Sequence, residues 1–146
     1  MSSEGWVAEQ EPDVDDALEA MTRAGEHEAV RQVDKQLADF LTKWNQLVPG
    51  QRDSYLKGSA FNYDQMQNED CLAEEVKEIY VGVRKGKRSA SHRVLLILLD
   101  DLREIRFLLL VRKPSNRREQ NKRGIEAAFM AARIRENLAK ERTGEQ

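Results

Sequence analysis

The sequence predicts a single α+β domain with N-terminal helices, an antiparallel sheet of three or four strands, and a long C-terminal helix. Three observations support this fold. Apolar residues recur at helical spacing early in the chain, alternate or run together in three short segments in the middle, and return to helical spacing near the end. At 146 residues the chain is long enough to bury one core and has the length of one ordinary domain.

Residues 1–29 are predicted to form a flexible acidic arm. They contain nine acidic residues, one basic residue (Arg23) and few aliphatic side chains. Such a composition buries too little surface to order a segment alone. Within the arm Val14, Leu18 and Met21 lie at helical spacing, which would allow a short helix on a partner surface.

The domain itself is predicted over residues 30–140, with a tail at 141–146. An apolar stripe at three- and four-residue spacing runs from Val30 to Leu47 and predicts one helix, which Pro49-Gly50 stops. A second, short helix is predicted from Gln51 to Lys57.

A meander of three antiparallel strands follows. Period-two alternation predicts a strand at residues 79–83, an apolar run predicts one over Arg93–Leu99, and a third is predicted over Glu104–Arg112. One face of the third strand is assigned to Ile105, Phe107, Leu109 and Val111.

The last helix is predicted to begin after Pro114. Asn116 followed by Glu119 has the form of a capping box, and the helix should run to about Lys140. The side chains predicted to be buried are Ile125, Ala128, Phe129, Ala132 and Leu138.

Charge divides the chain into two halves. Residues 1–75 hold 17 acidic and 6 basic residues, a net of −11, whereas residues 76–146 hold 9 acidic and 18 basic residues, a net of +9. A basic half of this strength is typical of a surface that binds a polyanion. Attraction between the two halves within one structural domain is the alternative, and charge alone leaves both open.

Composition excludes several classes of protein. The one cysteine, Cys71, cannot form an intramolecular disulfide and is expected to be a small, half-buried apolar residue in a protein of the reducing cytoplasm. The apolar runs are too short to span a bilayer, so no membrane partner is expected. The sequence has no glycine-rich phosphate loop, nucleophile elbow or Cys/His cluster, which predicts neither a metal site nor a cofactor.

Basic residues gather around the ends of the predicted strands. In a meander, the first loop and the end of the third strand can share one end of the sheet, which would bring these cations close to Tyr80 and His92. Cations hold phosphates, and tyrosine or histidine can stack on a base or move a proton, so the pattern suits RNA. For any single cation, plain solvation remains the alternative. The cations are Lys85, Lys87, Arg88, Arg93, Arg112, Lys113, Arg117, Arg118, Lys122 and Arg123.

Four segments together resemble the RelE/ParE toxin superfamily, in particular its HigB-like and phage-derived branch. The segments are Val76–Val81, His92–Leu98, Ile105–Lys113 and the helix that carries Gly124-Ile125-Glu126-Ala127-Ala128 and then Arg133. The resemblance covers roughly residues 30–138. Tyr80 stands where the family usually has arginine, and the acidic N-terminus is an extension that typical members lack.

The resemblance implies the toxin of a type II toxin–antitoxin pair that cleaves mRNA on the ribosome without a metal. His92, Tyr80 and Arg112 are then the predicted catalytic residues. The antitoxin protein and ribosome-bound mRNA are the predicted partners. RNA binding is assigned to Lys85, Lys87, Arg88, Arg93, Lys113, Arg117 and Arg118.

Two further functions stay open from the sequence. The same scaffold could bind nucleic acid or a protein such as DNA gyrase without catalysis, as an inactive homologue would, or it could be a structural protein held together by its opposite charges. The acidic arm is also predicted to contact the basic half and mask its groove, because tethering keeps it at an effective concentration of roughly millimolar. A disordered solubilising tail is the alternative for that arm.

Overall fold

The predicted α+β architecture is present in the computed structural model, which describes residues 5–84 and 90–144. Two single turns of 3₁₀ helix, Pro49–Gln51 and Asp100–Leu102, lie between the main elements. In chain order these elements are β1 (Val7–Gln10), α1 (Pro12–Arg23), α2 (His27–Gln46), α3 (Arg52–Lys57), β2 (Asp64–Gln65), α4 (Glu69–Glu74), β3 (Lys77–Val81), β4 (His92–Leu99), β5 (Glu104–Arg112) and α5 (Arg117–Thr143).

The central sheet has five strands in the order β1-β5-β4-β3-β2. Strands β3, β4 and β5 form the predicted antiparallel meander. The sheet is nevertheless mixed, since β1 pairs with β5 in parallel, and β2 adds a two-residue antiparallel edge to β3. Neither edge strand was predicted, because segments of four and two residues carry too little alternation to be recognised.

Helices cover the sheet on both faces. Val33 and Phe40 of α2 belong to one core cluster, together with Ile79 and Val94 of the sheet. The other cluster joins Leu95, Ile97 and Leu99 of β4 to Ala127 and Ala131 of α5. Adjacent residues of one strand therefore belong to different cores, and the faces are called here the α2 face and the α5 face.

A β-bulge changes which side chains of β5 lie on the same face of the sheet, so the predicted face of that strand was wrong. Leu95 pairs with Leu109 and Leu96 pairs with Phe107, which leaves Leu108 as an extra residue. Leu108 and Leu109 both pack in the α5 cluster, whereas Phe107 and Leu110 belong to the α2 cluster. Leu109 consequently does not share a face with Phe107.

The N-terminal segment is ordered within the described residues, contrary to the flexible arm predicted over residues 1–29. Strand β1 pairs with Glu104–Phe107 of β5, and the Glu11 N–H donates to the Phe107 carbonyl at 2.9 Å. Val14 of α1 is fully buried and Met21 is nearly so. The prediction from composition was wrong because a few apolar residues at helical spacing are enough to order a helix when a neighbouring sheet supplies the rest of the core.

The buried side of α5 is also different from the predicted one. Phe129 is 71% exposed and Ile125 is 37% exposed, while small residues make the contact with α4 and the sheet. A Cβ added at Gly124 would lie 2.9 Å from the Cys71 sulfur, so only glycine lets α4 approach this closely. Cys71 is fully buried, whereas a half-buried residue was predicted; its thiol donates to the Gly124 carbonyl at 3.2 Å, and burial raises its pKa to about 11.

Candidate nucleic-acid interface

The predicted catalytic residues lie on opposite faces of the sheet. Tyr80 pairs across the strands with Arg93, one residue along from the pair formed by Val81 and His92. Side chains alternate between faces along a strand, so Tyr80 and Arg93 lie on the α5 face and His92 lies on the α2 face. Arg112 pairs with His92, and the two residues line a common pocket. The structure thus divides His92, Tyr80 and Arg112 between two sites.

The first site is a cleft of about 570 Å³ between the β3 edge of the sheet and the start of α5. It is called here the β3 groove. Polar side chains from β2, β3 and α5 dominate its lining. The residues that matter most are Gln65, Asn68, Glu78, Tyr80, Arg117 and Gln120.

Arg93 and Tyr80 form a stacked pair at this groove. The Arg93 Cζ lies 3.7 Å from the centroid of the Tyr80 ring, within the range of a cation–π contact. The Arg93 Nη1 also donates to the carbonyls of Ala90 and His92, each at 2.9 Å. This arrangement orients the tyrosine and fixes the chain where it enters β4.

Glu78 is the functional candidate that sequence reasoning did not single out. It lies on the same strand face as Tyr80, two residues earlier, and is only 6% exposed. Gln120 Nε2 donates to Glu78 Oε1 at 3.5 Å. Burial raises the pKa of Glu78 above its ordinary value, and Arg93 opposes that shift. A buried carboxyl with a raised pKa is a candidate for proton transfer.

Three exposed cations lie at or shortly before the start of α5, and one of them lines the β3 groove. Arg117 lines the groove, and Arg117, Arg118 and Lys113 are exposed and form no ion pair within residues 5–84 and 90–144. Unpaired, exposed cations beside a polar cleft can hold phosphates. The predicted RNA-binding residues Lys85, Lys87 and Arg88 lie outside the described residues.

The two ends of the loop that carries those three cations are firmly held. On the β3 side, the Gly82 N–H donates to Gln36 Oε1 at 2.6 Å, and Gly82 has a φ of 95°. A Cβ at Gly82 would lie 2.3 Å from the Ser91 Oγ, so the position requires glycine. On the β4 side, the Ser91 N–H donates to the Val83 carbonyl at 2.9 Å. The ends of β3 and β4 are therefore fixed relative to each other by these contacts.

The second site, called here the His92 pocket, is a cavity of about 400 Å³ between α1, the end of β5 and the start of α5. His92 is only 2% exposed, and its Nδ1 hydrogen-bonds with Ser91 Oγ at 2.7 Å. Burial lowers the pKa of His92, and Arg112 lowers it further. Arg112 itself is paired with Glu26, which precedes α2.

The N-terminal segment contacts the basic half, as predicted. Besides the β1–β5 pairing, Glu11 forms an ion pair with Arg106 at 3.0 Å, and Glu26 pairs with Arg112. These contacts lie along β5, which β4 separates from β3. The N-terminal segment neutralises arginines of β5, and none of residues 5–29 lines the β3 groove.

No family model, curated protein or solved structure matches this chain. The resemblance to the RelE/ParE superfamily accordingly stays a prediction. Among the described residues, no group of three or more histidine, cysteine, aspartate or glutamate side chains could hold a metal ion. None of the helices in that part of the chain is long and apolar enough to cross a membrane.

Proposed function

We propose that this chain binds single-stranded RNA in the β3 groove and cleaves it without a metal ion. The observation that carries the proposal is the buried Glu78 carboxyl on the same strand face as the stacked Tyr80–Arg93 pair. Unpaired cations at the start of α5 supply the phosphate contacts that such a groove needs.

The groove contains the groups that RNA cleavage requires. Glu78 removes the proton from a ribose 2′-hydroxyl, whose oxygen then bonds to phosphorus while the bond from phosphorus to the 5′-oxygen breaks. Arg117 stabilises the charge that develops on the phosphate oxygens, and Tyr80 donates a proton to the departing 5′-oxygen. Residues two apart on a strand lie roughly 7 Å apart, so Glu78 and Tyr80 can flank one phosphate.

Amide side chains support a single-stranded ligand. Gln65, Asn68, Gln120 and Asn121 all line the β3 groove. Amides present both donors and acceptors, which suits the edges of unpaired bases. Asn68 Oδ1 also accepts from the Cys71 N–H at 2.9 Å, which holds this side of the groove in place.

The family resemblance extends the proposal to a biological setting. In that setting the protein is the toxin of a type II toxin–antitoxin pair in the cytoplasm, its substrate is mRNA on the ribosome, and an antitoxin protein neutralises it. The cations at the start of α5 would face the mRNA. The groove is then the surface that an antitoxin has to cover.

A non-catalytic RNA-binding protein is the second candidate. It is favoured by the environment of Arg93, which is only 6% exposed and already donates to two backbone carbonyls. An arginine used in this way supports the strand and orients Tyr80 without touching a substrate. Under this alternative the groove binds RNA and leaves it intact.

Mapping of new 5′ ends in a reconstituted translation reaction tests the proposal. The wild-type chain should produce cuts on translating ribosomes, and Glu78→Gln or Tyr80→Phe should abolish them while RNA affinity is kept. The exposed residues Glu9 and Tyr55 provide the matched controls Glu9→Gln and Tyr55→Phe, which should cut normally. Undiminished cutting by Glu78→Gln would rule out the assigned base. Intact mRNA with tight RNA binding would favour the non-catalytic alternative.

A further inference from the structure

We propose that the His92 pocket is a second ligand site, one that takes a nucleoside monophosphate, and that the Glu26 carboxylate occupies its phosphate position in the free protein. The proposal does not depend on RNA cleavage in the β3 groove, because the two sites share no lining residue among those that the structure describes.

The size and lining of the pocket suit a small ligand with one apolar side. Its volume of about 400 Å³ lies within the range of roughly 300–1,000 Å³ that is usual for small-molecule sites. Met21, Leu110 and three alanines of α1 and its end form an apolar wall. Arg112 and Arg123 line the opposite, charged part. A base can pack on the first wall while a phosphate meets the second.

A buried nitrogen atom of His92 has no partner, which supports a ligand contact at this pocket. The imidazole is 98% buried, and Ser91 Oγ satisfies its Nδ1 at 2.7 Å. The Nε2 is buried and has no hydrogen-bond partner among the described residues. Buried polar atoms nearly always have a partner, and an unsatisfied one destabilises the fold. A ribose hydroxyl beside Nε2 would pair with it in either tautomer of the imidazole, because a hydroxyl both donates and accepts.

The Glu26 carboxylate shows where an anion can bind in the pocket. Its carboxylate pairs with Arg112, whose side chain is largely exposed, and a carboxylate resembles two oxygens of a phosphate in geometry and charge. The Glu26 N–H donates to the Met21 carbonyl at 2.9 Å, which holds the backbone in place while the side chain stays free to turn away. A ligand phosphate can therefore replace this carboxylate without moving α1.

The remaining charges of the pocket favour a nucleotide over bare phosphate. Arg123 is paired with Glu126 at 3.0 Å on its own helix surface, an exposed pair that is easily exchanged. Glu119 also lines the pocket, and its carboxylate accepts from the Ser115 hydroxyl at 2.9 Å. A second carboxylate repels a free dianion but can accept from a ribose hydroxyl or a base amino group. The ligand thus needs donors as well as a phosphate.

Titration of the full-length chain with the four ribonucleoside monophosphates, with adenosine and with inorganic phosphate tests this site. At least one monophosphate should bind and shift the NMR resonance of the His92 Nε2. Arg112→Gln should weaken binding about tenfold or more, because one charge-assisted contact is lost. Glu26→Gln should strengthen it up to about fivefold, because the competing ion pair is removed.

The controls separate a true site from general charge effects. Glu19→Gln removes an exposed carboxylate that pairs with Arg23 elsewhere on α1 and should leave affinity unchanged. Circular dichroism of each variant establishes that it is folded. Adenosine binding as tightly as its monophosphate would overturn the phosphate position. Equal binding of inorganic phosphate would overturn the nucleoside assignment. No binding by either wild type or Glu26→Gln would overturn the site altogether.

Discussion

The β3 groove and the His92 pocket each contain one buried titratable side chain, but the cations beside the two sites differ in whether they are paired. Burial is the largest influence on the pKa of both Glu78 and His92, and in each case it favours the neutral form. The groove opens towards the unpaired cations at the start of α5. The pocket instead holds an arginine that Glu26 has already neutralised. Some of the basic residues in the second half, which has a net charge of +9, are therefore paired inside the fold, and others are exposed.

The first half of the chain explains this difference. Glu11 forms an ion pair with Arg106, and Glu26 forms one with Arg112; both arginines belong to β5. Residues 5–29 form no such pair with β3. Internal attraction, one of the two interpretations of the divided charge, operates along β5. The polyanion site that we propose lies beside β3, away from these ion pairs.

Disrupting the packing of α1 against the sheet should give the largest effect on the free energy of unfolding. Val14→Asp places a carboxylate at a fully buried position between α1 and the sheet. An unpaired buried charge costs about 3–5 kcal/mol, so the free energy of unfolding should fall by that amount in urea denaturation. Asp13→Asn, one residue earlier on the exposed side of α1, is the control. A loss of less than about 1 kcal/mol would mean that α1 does not stabilise the domain.

Removing cations near the β3 groove should weaken RNA binding more than removing the arginine of the His92 pocket. The double variant Arg117→Glu and Arg118→Glu should weaken binding of a single-stranded RNA about tenfold or more and reduce the dependence on salt by roughly two ion contacts. Arg112→Gln removes an arginine that is already paired and should change affinity little. Fluorescence anisotropy at several salt concentrations measures both. Equal losses in the two variants would show that the sites are not separate in RNA binding.

The pH dependence of stability should have opposite signs for Glu78 and His92. The folded chain holds the Glu78 proton more tightly than the unfolded chain does, because burial raises the pKa above the ordinary 4.5. This contribution to stability is therefore present at acidic pH and is lost as pH rises from 4.5 through the raised pKa. Glu78→Gln should gain thermal stability over wild type between about pH 4 and about pH 8.

His92 should act in the reverse direction. Burial lowers its pKa below the ordinary 6.5, so the unfolded chain takes up the proton first as pH falls. Stability is then lost as pH falls below 6.5. In His92→Asn this loss should be smaller, and thermal melting from about pH 8 to about pH 5 measures it. Parallel pH profiles for the wild type and the variant would contradict the burial of a neutral imidazole.

The Tyr80–Arg93 stack should give the smallest effect. Arg93→Lys keeps the charge but loses the planar stack and the two-carbonyl geometry, at a cost of about 1 kcal/mol in unfolding free energy. Arg133→Lys, at an exposed position of α5, is the matched control and should be neutral. Identical stability of the two variants would show that the stack contributes nothing to the α5 face.

Periodicity predicted the main elements of the fold. The apolar stripe from Val30 to Leu47 corresponds to α2, and the predicted cap of α5 is confirmed by the Glu119 N–H that donates to Asn116 Oδ1 at 2.8 Å. Pattern alone did not predict β1, the bulge at Leu108 or the exposure of Phe129. Each of these depends on a tertiary neighbour: β5 for β1, β4 for the bulge and α4 for the small-residue face of α5.

The candidate site was predicted only in part for a related reason. Arg93 and Tyr80 were correctly expected near each other, but His92 follows the alternation of β4 onto the other face. Grouping residues by their closeness in the chain ignores this alternation. Glu78 shares the face of Tyr80, so period two could have indicated it; its burial beside Gln120 depends on where α5 crosses the sheet.

NMR titration with a short single-stranded RNA that lacks a 5′-phosphate tests most directly whether the β3 groove is the RNA site. The missing phosphate removes the group that would compete for the His92 pocket. We expect the largest amide shifts at Glu78, Tyr80 and Gln120, with His92 and Arg112 unchanged. Shifts confined to His92 and Arg112, or none at all under low-salt conditions, would contradict the assignment of the groove.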